Sequence, residues 1–157
     1  MPRHVFAALG ETLTQSLLSG DFAGYASVMS LPLRITPRGD PAYVLQTEDA
    51  LRADFQLYHD NLKGRGVTDI FRHVAEITVV GATHLRVRCN VHIMVHAQRI
   101  VDPFETWFLL VEQPEGWLIC EIESARGHIR FSLGLSEIRG GAFTPKLGEA
   151  GGEDGET

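Results

Sequence analysis

The chain has 157 residues, 44% hydrophobic and 22% charged, a balance that suits one globular domain with its own core. Its formal net charge is −6, and four acidic residues after position 148 account for −4, leaving −2 for residues 1–148. That near-neutral body offers no basic surface for nucleic acid. No apolar run approaches the roughly 20 residues that cross a bilayer, so we expect no membrane partner.

Targeting signals and cysteines both favour a cytoplasmic protein. The start, MPRHVFAALGETL, lacks the charged region and long apolar core of a signal peptide. Cys89 and Cys120 have no metal-ligand spacing and no neighbouring cysteines. Unclustered cysteines of this kind are typical of reduced thiols, so we expect both to be free.

Three helices are predicted before residue 65. Gly20 ends the first helix and Asp21 is a good N-cap for a short second one, while Thr47 caps the third. The first helix repeats apolar residues on one face, namely Val5, Phe6, Leu9, Leu13 and Leu17. The third helix does the same with Leu51, Phe55, Tyr58 and Leu62.

The remainder of the domain is predicted to be β-structure. Residues 31–36 and 42–46 form two short strands. Four longer strands are predicted near residues 70–80, 85–98, 104–112 and 117–125. Their short connections favour an antiparallel meander. We expect the domain to end at 139, because residues 140–157 are Gly-rich and acidic, which is typical of a disordered tail.

Two histidines four residues apart, His92 and His96, raise the question of a metal site. On a helix they would share one face, as in zinc proteases, but that motif has a glutamate where this chain has Ile93. The β-branched NVHIMVH indicates a strand, on which the two lie roughly 13 Å apart. Zinc–nitrogen bonds are about 2 Å, so we predict no metal. The sequence also lacks a Gly-rich phosphate loop, and we predict no cofactor.

Alternation along residues 85–98 separates an apolar face from a mixed one. Pairing about turns at 101–103 and 113–116 predicts His96 beside Thr106 and Glu123, with a second row of Met94, Phe108 and Glu121. Two interpretations stay open. Either the apolar face lies beneath the helices and the mixed face is exposed, or the mixed face lines a pocket and the apolar face packs against a second subunit. The second interpretation predicts a homodimer.

Four segments carry a resemblance to a known family: SGDFAGY (19–25), FRHVAEITVVG (71–81), LRVRCNVHIMVHAQR (85–99) and EGWLICEIES (115–124). With the order of helices and strands over residues 4–126, they resemble the nuclear-transport-factor-2-like superfamily. The nearest match is its SnoaL-like branch, which contains polyketide cyclases and scytalone dehydratases. The resemblance implies an α+β fold: a cone-shaped α+β barrel with three N-terminal helices packed on a strongly bent, mostly antiparallel sheet. It also implies a cavity for a small apolar molecule.

The same resemblance suggests residues for chemistry. His73 and His96 match two histidines of the dehydratase pattern. Leu17 and Leu18 stand where that pattern has a Tyr-Asp pair, and Pro37 stands where it has another tyrosine, which argues against that particular dehydration.

We therefore consider three classes of function: a cofactor-independent acid–base enzyme of isomerase, cyclase or dehydratase type, a non-catalytic small-molecule binder, and a dimeric interaction module. Fold analogy alone does not choose among them. The predicted catalytic residues are His73, His96 and Glu123. The predicted ligand-binding residues are Tyr25, Tyr58, Asn90, His92, Met94, Phe108 and Glu121.

Overall fold

The computed structural model describes residues 2–37, 41–124, 136–139 and 142–145. The helices are α1 (Pro2–Ser19), α2 (Phe22–Ala26) and α3 (Glu48–Gly64). The strands are β1 (Met29–Pro37), β2 (Tyr43–Leu45), β3 (Asp69–Val80), β4 (His84–Val95), β5 (Gln98–Arg99), β6 (Phe104–Gln113), β7 (Gly116–Ser124), β8 (Ser136–Arg139) and β9 (Ala142–Pro145).

The helix boundaries follow the predicted capping residues. The Asp21 carboxylate accepts a hydrogen bond from the Gly24 amide, and the Thr47 hydroxyl accepts one from the Ala50 amide at 3.1 Å. Each bond satisfies one of the amides that a helix start leaves without a partner. Glu48 and Asp49 come next, in the first turn of α3, where acidic groups suit the helix dipole.

The main sheet has the order β2–β1–β7–β6–β4–β3, with β5 beside β4. The pairs β3–β4, β4–β6 and β6–β7 are antiparallel, as the short connections predicted, and β1 joins β7 in parallel. The sheet is strongly curved and does not close. The predicted α+β fold, with three N-terminal helices on a bent and mostly antiparallel sheet, is confirmed.

The apolar face of the meander lies beneath the helices. On β4 the buried residues are Leu85, Val87, Cys89, Val91 and Ile93, while the residues between them are partly exposed. The interpretation that placed the mixed face over a pocket is therefore wrong. The homodimer stays a prediction, but the exposed apolar sheet face from which it was argued does not exist in this fold.

The predicted pairing of β4 with β6 is wrong because the turn after β4 comes earlier than predicted. His96 and Ala97 have φ values of 50° and 72°, the left-handed pair that a tight two-residue hairpin requires. The chain then folds back as β5, and residues 100–103 connect it to β6. Cys89, rather than His96, consequently lies opposite Thr106. This shift of seven residues is odd-numbered, so it exchanges the two faces.

A bulge in β7 produces a second, smaller change. Leu110 pairs with Ile119, which is the predicted register, but the register then shifts so that Glu123 lies opposite Trp107. A bulge adds one residue to one strand and reverses the facing of the residues beyond it. Glu123 therefore points away from the helices.

Helix α1 covers half of the edge strand β3. The Thr14 hydroxyl donates to the Ile70 carbonyl at 3.2 Å, and Arg3 Nη1 donates to the Val74 carbonyl at 3.2 Å. Beyond this point the strand is more open, with Val79 70% and Val80 43% exposed. The helix thus satisfies outward-facing carbonyls that an edge strand would leave unpaired.

Strands β8 and β9 pair antiparallel in a separate two-stranded sheet, and the domain boundary at 139 stays a prediction. The rest of the predicted tail, residues 140–141 and 146–157, lies outside the described residues.

Gly20 offers a stability test, because it has a φ of 79° and a Cβ there would lie 2.9 Å from His59 Nε2. Gly66 has a similar φ of 71° with open space around it. We expect Gly66→Ala to cost about 1 kcal/mol for the left-handed backbone alone. Gly20→Ala should cost at least about 2 kcal/mol, because the imidazole, which hydrogen-bonds the Leu17 carbonyl at 2.6 Å, must also move. Urea unfolding of both variants measures the difference, and equal losses would contradict the close contact.

Candidate functional site

A cavity of about 30 Å³ lies between the helices and the inner face of the sheet. By volume it holds one or two water molecules. Its lining residues are Leu13, Leu17, Tyr25, Tyr58, Arg72, Val91, Phe104, Thr106, Phe108, Ile122 and Ser124. Most of this surface is apolar, with a few hydroxyls and one guanidinium, which is the usual composition of a small-molecule site.

Two tyrosines bring hydroxyls to the cavity from the helices. Tyr25 on α2 is 1% exposed, and its ring packs against Phe55 with 4.8 Å between centroids. Burial raises the pKa of Tyr25 well above its ordinary value, and the negative charge of Asp54 raises it further. The Tyr25 phenol therefore keeps its proton at all ordinary pH values and faces the cavity as a hydrogen-bond donor. Tyr58 on α3 is 7% exposed and lies on the same wall.

Arg72 is the charged residue of the cavity wall. It alternates with Ile70 and Val74 on β3 and therefore points toward α1. The residue is partly buried, and its Nη1 donates to the Thr14 hydroxyl at 2.6 Å and to the Gly10 carbonyl at 3.3 Å. Burial lowers the pKa of Arg72, although Tyr58 and other neighbours oppose this shift. Within residues 2–37 and 41–124, no carboxylate lies within ion-pair distance of this guanidinium.

A second space adjoins the first through Arg72. It is a cleft of about 250 Å³ between α1 and β3, lined by Phe6, Ala7, Gly10, Glu11, Thr14, Asp69, Ile70, Phe71, Arg72 and Val74. Arg72 lines both spaces, and its hydrogen-bond acceptors on α1, Gly10 and Thr14, line the cleft.

Cys89 lies close to this site and is chemically quiet. It is fully buried on the inner face of β4, and burial raises the pKa of the thiol to about 12, with Arg72 opposing the shift. A thiol with so high a pKa holds almost no thiolate at neutral pH and is a poor nucleophile.

Three predicted ligand-binding residues line the cavity: Tyr25, Tyr58 and Phe108. The other four do not. Asn90, His92 and Met94 occupy the outer face of β4, and Glu121 lies 4.0 Å from Arg34 Nε on β1.

The three predicted catalytic residues lie apart from one another and from the cavity. His73 is exposed on the outer face of β3, opposite Asn90. His96 is exposed in the turn after β4, where its amide donates to the Thr68 hydroxyl at 2.8 Å. Glu123 accepts a hydrogen bond from Arg86 at 3.0 Å on the outer face. The predicted pairing of His96 with Glu123 is therefore wrong, and a catalytic role for any of the three stays a prediction without a shared site.

The outer face of the sheet is instead an array of paired charges around Trp107. The Arg86 guanidinium lies 4.4 Å from the indole centroid, a cation–π distance. Arg88 donates to Glu76 at 3.2 Å and to Glu105 at 3.1 Å. These residues explain the polar alternation of β4 without any ligand, because partly exposed ion pairs of this kind are common on sheets and each contributes little to stability.

A broad open groove at one end of this outer face has a volume of about 930 Å³. Phe71, 56% exposed, lies beside His92 with 5.7 Å between ring centroids. Met94 and Arg99 also line this groove. Two of the predicted ligand-binding residues, His92 and Met94, are thus neighbours here, but the groove is open to solvent and lies outside the cone.

Arg72 and Asp54 are two inward-facing charged residues that sequence reasoning missed. Asp54 is 1% exposed and accepts a hydrogen bond from the Tyr43 hydroxyl at 3.3 Å. Each had a detectable signal. Arg72 stands in phase with Ile70 and Val74 on a strand, and Asp54 lies three residues after Leu51 on the buried stripe of α3. A charged residue in phase with apolar neighbours indicates an inward-facing group.

The chain belongs to the family described as NTF2-like protein (DUF6841), whose model matches residues 4–127. The predicted superfamily is thereby confirmed. No protein of curated function matches the chain.

Solved structures share the fold at low sequence identity. A Mycobacterium tuberculosis protein of unknown function is 19% identical, with a TM-score of 0.59 over 81% of this chain and 76% of its own. A candidate ketosteroid isomerase from Shewanella frigidimarina is 16% identical, with a TM-score of 0.60 over 76% of this chain and 94% of its own. A candidate dehydratase of the NTF2-like family from Streptomyces avermitilis is 13% identical, with a TM-score of 0.58 over 79% and 96%. At these identities the likeness shows the fold alone.

Two absences hold for the described part of the chain. It contains no cluster of three or more histidine, cysteine, aspartate or glutamate side chains arranged to hold a metal ion. None of its helices is long and apolar enough to cross a membrane.

The environment of Cys89 predicts its reactivity. With iodoacetamide at mildly alkaline pH, Cys120, which is only partly buried, should be alkylated in the native protein, and Cys89 only after unfolding. The folded pKa of Cys89 lies above its ordinary value of about 9, so burial of the neutral thiol stabilises the fold below that pH. This contribution is lost as the pH rises toward 12. Peptide mass spectrometry measures the labelling, and rapid native alkylation of Cys89 would contradict its burial.

The environment of Arg72 predicts that the fold does not need its charge. Arg72→Met removes a guanidinium without an ion pair in the described residues, and such replacements are neutral or stabilising, here by up to about 2 kcal/mol. The change leaves no buried acceptor stranded, since Thr14 still donates to Ile70 and Gly10 still lies within α1. Denaturant unfolding tests this expectation. A loss of more than about 2 kcal/mol would instead assign Arg72 a structural role.

Proposed function

We propose that the protein binds a small, largely apolar organic molecule in the cavity between the helices and the sheet. The observation that carries this proposal is the grouping of Arg72, Tyr25 and Tyr58 among the mainly apolar residues that line one cavity. Apolar walls supply affinity and a few fixed polar groups orient the ligand. In a core that serves packing alone, removal of this cation from water would lower the stability of the fold.

The cavity alone is too small for such a ligand. A molecule larger than one or two waters must also occupy the adjoining cleft of about 250 Å³, which approaches the roughly 300 Å³ at the lower end for small-molecule sites. Arg72 lies where the two spaces meet, so the ligand would contact it midway along the path. Phe6 and Ile70 provide apolar surface on the cleft side.

Binding is better supported than acid–base catalysis. Efficient proton transfer needs a group whose pKa lies near the working pH. Burial moves the pKa of Tyr25 and the pKa of Cys89 upward, away from neutrality, and Arg72 stays a cation. The predicted His96 and Glu123 do not reach the cavity. An isomerase, cyclase or dehydratase reaction of the SnoaL-like type remains the alternative, and the names of two structural neighbours are in keeping with it.

Cytoplasmic location and homodimer formation remain expectations from the sequence. Light scattering at micromolar concentration tests the dimer, and a monomer would contradict it.

A cavity-filling variant tests the proposed site. Thr106 is 5% exposed and lines the cavity, so Thr106→Leu should occupy it and weaken binding of fragment-sized ligands by at least about tenfold. Thr78→Leu is the matched control, because Thr78 is exposed on β3 opposite Arg86, outside the cavity. Fragments that bind the wild type are first identified from amide chemical-shift changes. Equal binding by both variants would contradict the proposed site, as would shifts confined to the outer face.

A further inference from the structure

We propose that the ligand of this cavity carries a single carboxylate, held by Arg72 and by the hydroxyl of Tyr25. This inference rests on the proposed function and specifies its ligand. It is drawn from the charge on the cavity wall, from the donors around it and from the acidic rim of the adjoining cleft.

Arg72 differs from the arginines of the outer face in its partners. Arg34, Arg86 and Arg88 each have a carboxylate within 3.0–4.0 Å. Arg72 lies deeper than these, yet its hydrogen bonds go to a hydroxyl and a backbone carbonyl. Removal of a cation from water is unfavourable unless an anion compensates it. Among the described residues no carboxylate contacts Arg72, and the charge of Asp69 acts on it only from further away. An anionic ligand could contact the guanidinium directly.

Most of the N–H groups of Arg72 make no hydrogen bond within the described residues. A guanidinium has five N–H groups in a planar fork, and within the described residues only Nη1 of Arg72 donates a hydrogen bond. The remaining edge can meet a carboxylate through two parallel bonds. Tyr25 keeps its proton because its pKa is raised by burial, so it can donate a further bond to the same anion. Tyr25 and Arg72 line the same cavity, so one ligand group could reach both.

The acidic residues that line the cleft limit the ligand to one negative charge. Asp69 and Glu11 line the cleft that leads to Arg72, and Asp54 places a negative charge near Tyr25. A second carboxylate on the ligand, or a phosphate dianion, would approach these groups and be repelled. An apolar tail in the cleft would instead contact Phe6, Ile70 and Val74. The site therefore suits a monocarboxylic acid with an apolar body.

The test uses matched probes that differ only in charge. Hexanoate and phenylacetate are titrated into the full chain alongside hexanamide and phenylacetamide, with adipate as the dicarboxylate and amide chemical shifts as the measurement. We expect the wild type to bind at least one acid about tenfold or more tightly than its amide, since charge-assisted bonds are the stronger kind. Adipate should bind more weakly than hexanoate.

Variants of Arg72 assign the effect to one residue. Arg72→Met should abolish the preference for acid over amide while the amide still binds, and Arg72→Gln provides a polar, uncharged second variant should the first fail to fold. Arg88→Met is the matched control, because it removes an arginine from the outer face and should leave the preference unchanged.

The outcomes separate this inference from the proposed function. If acids and amides bind the wild type equally at the cavity, or if the acid preference survives in both Arg72 variants, the carboxylate inference is overturned and the proposed function stands. If no probe of either kind shifts the cavity residues of the wild type, both are overturned.

Discussion

The contact between helix α1 and edge strand β3 holds the rest of the arrangement in place. The Thr14 hydroxyl is its centre, since it donates to the Ile70 carbonyl and accepts from Arg72. The bond to Ile70 ties the helix to the sheet, and the bond from Arg72 holds the guanidinium between α1 and β3. Because a hydroxyl both donates and accepts, one small side chain can serve the fold and the site together.

The fold was largely predictable because local signals agreed with one another. Asp21 and Thr47 mark helix starts, and short turns impose an antiparallel meander. The parallel pairing of β1 with β7 was not predictable in the same way. It joins segments far apart in the chain, and no turn between them fixes their register.

The candidate site was much less predictable, and the reason lies in two short irregularities. The left-handed turn at His96 and Ala97 and the bulge at Cys120 in β7 each shift the pairing. An odd-numbered shift places every side chain of a strand on the opposite face. His96 and Glu123 therefore lie outside the interior, whereas Phe108 is buried within it. Tyr25 and Tyr58 were placed correctly because helical stripes do not depend on register across the sheet.

Charged side chains have different surroundings on the two faces of the sheet. Outside, arginines and glutamates alternate and neutralise one another at the surface, where water already weakens their fields. Inside, one guanidinium lies among hydroxyls and apolar side chains, where the lower dielectric makes its field stronger and longer in range. The difference explains why the conspicuous charged residues of the outer face pair with one another, while the proposed ligand-binding charge is a single arginine in phase with Ile70 and Val74 on β3.

The partial cover that α1 gives to β3 has a consequence for how the molecule can move. The strand is twelve residues long, and beyond Val74 its edge already exposes Val79 and Val80. If α1 swung away to admit a ligand, the uncovered edge would extend along the whole strand and could pair with that of another molecule, which is the first step of aggregation. A ligand that enters without displacing α1 avoids that hazard. Helix α1 therefore protects the edge of β3 from pairing with another molecule, in addition to lining the interior. This favours ligand entry that does not move the backbone.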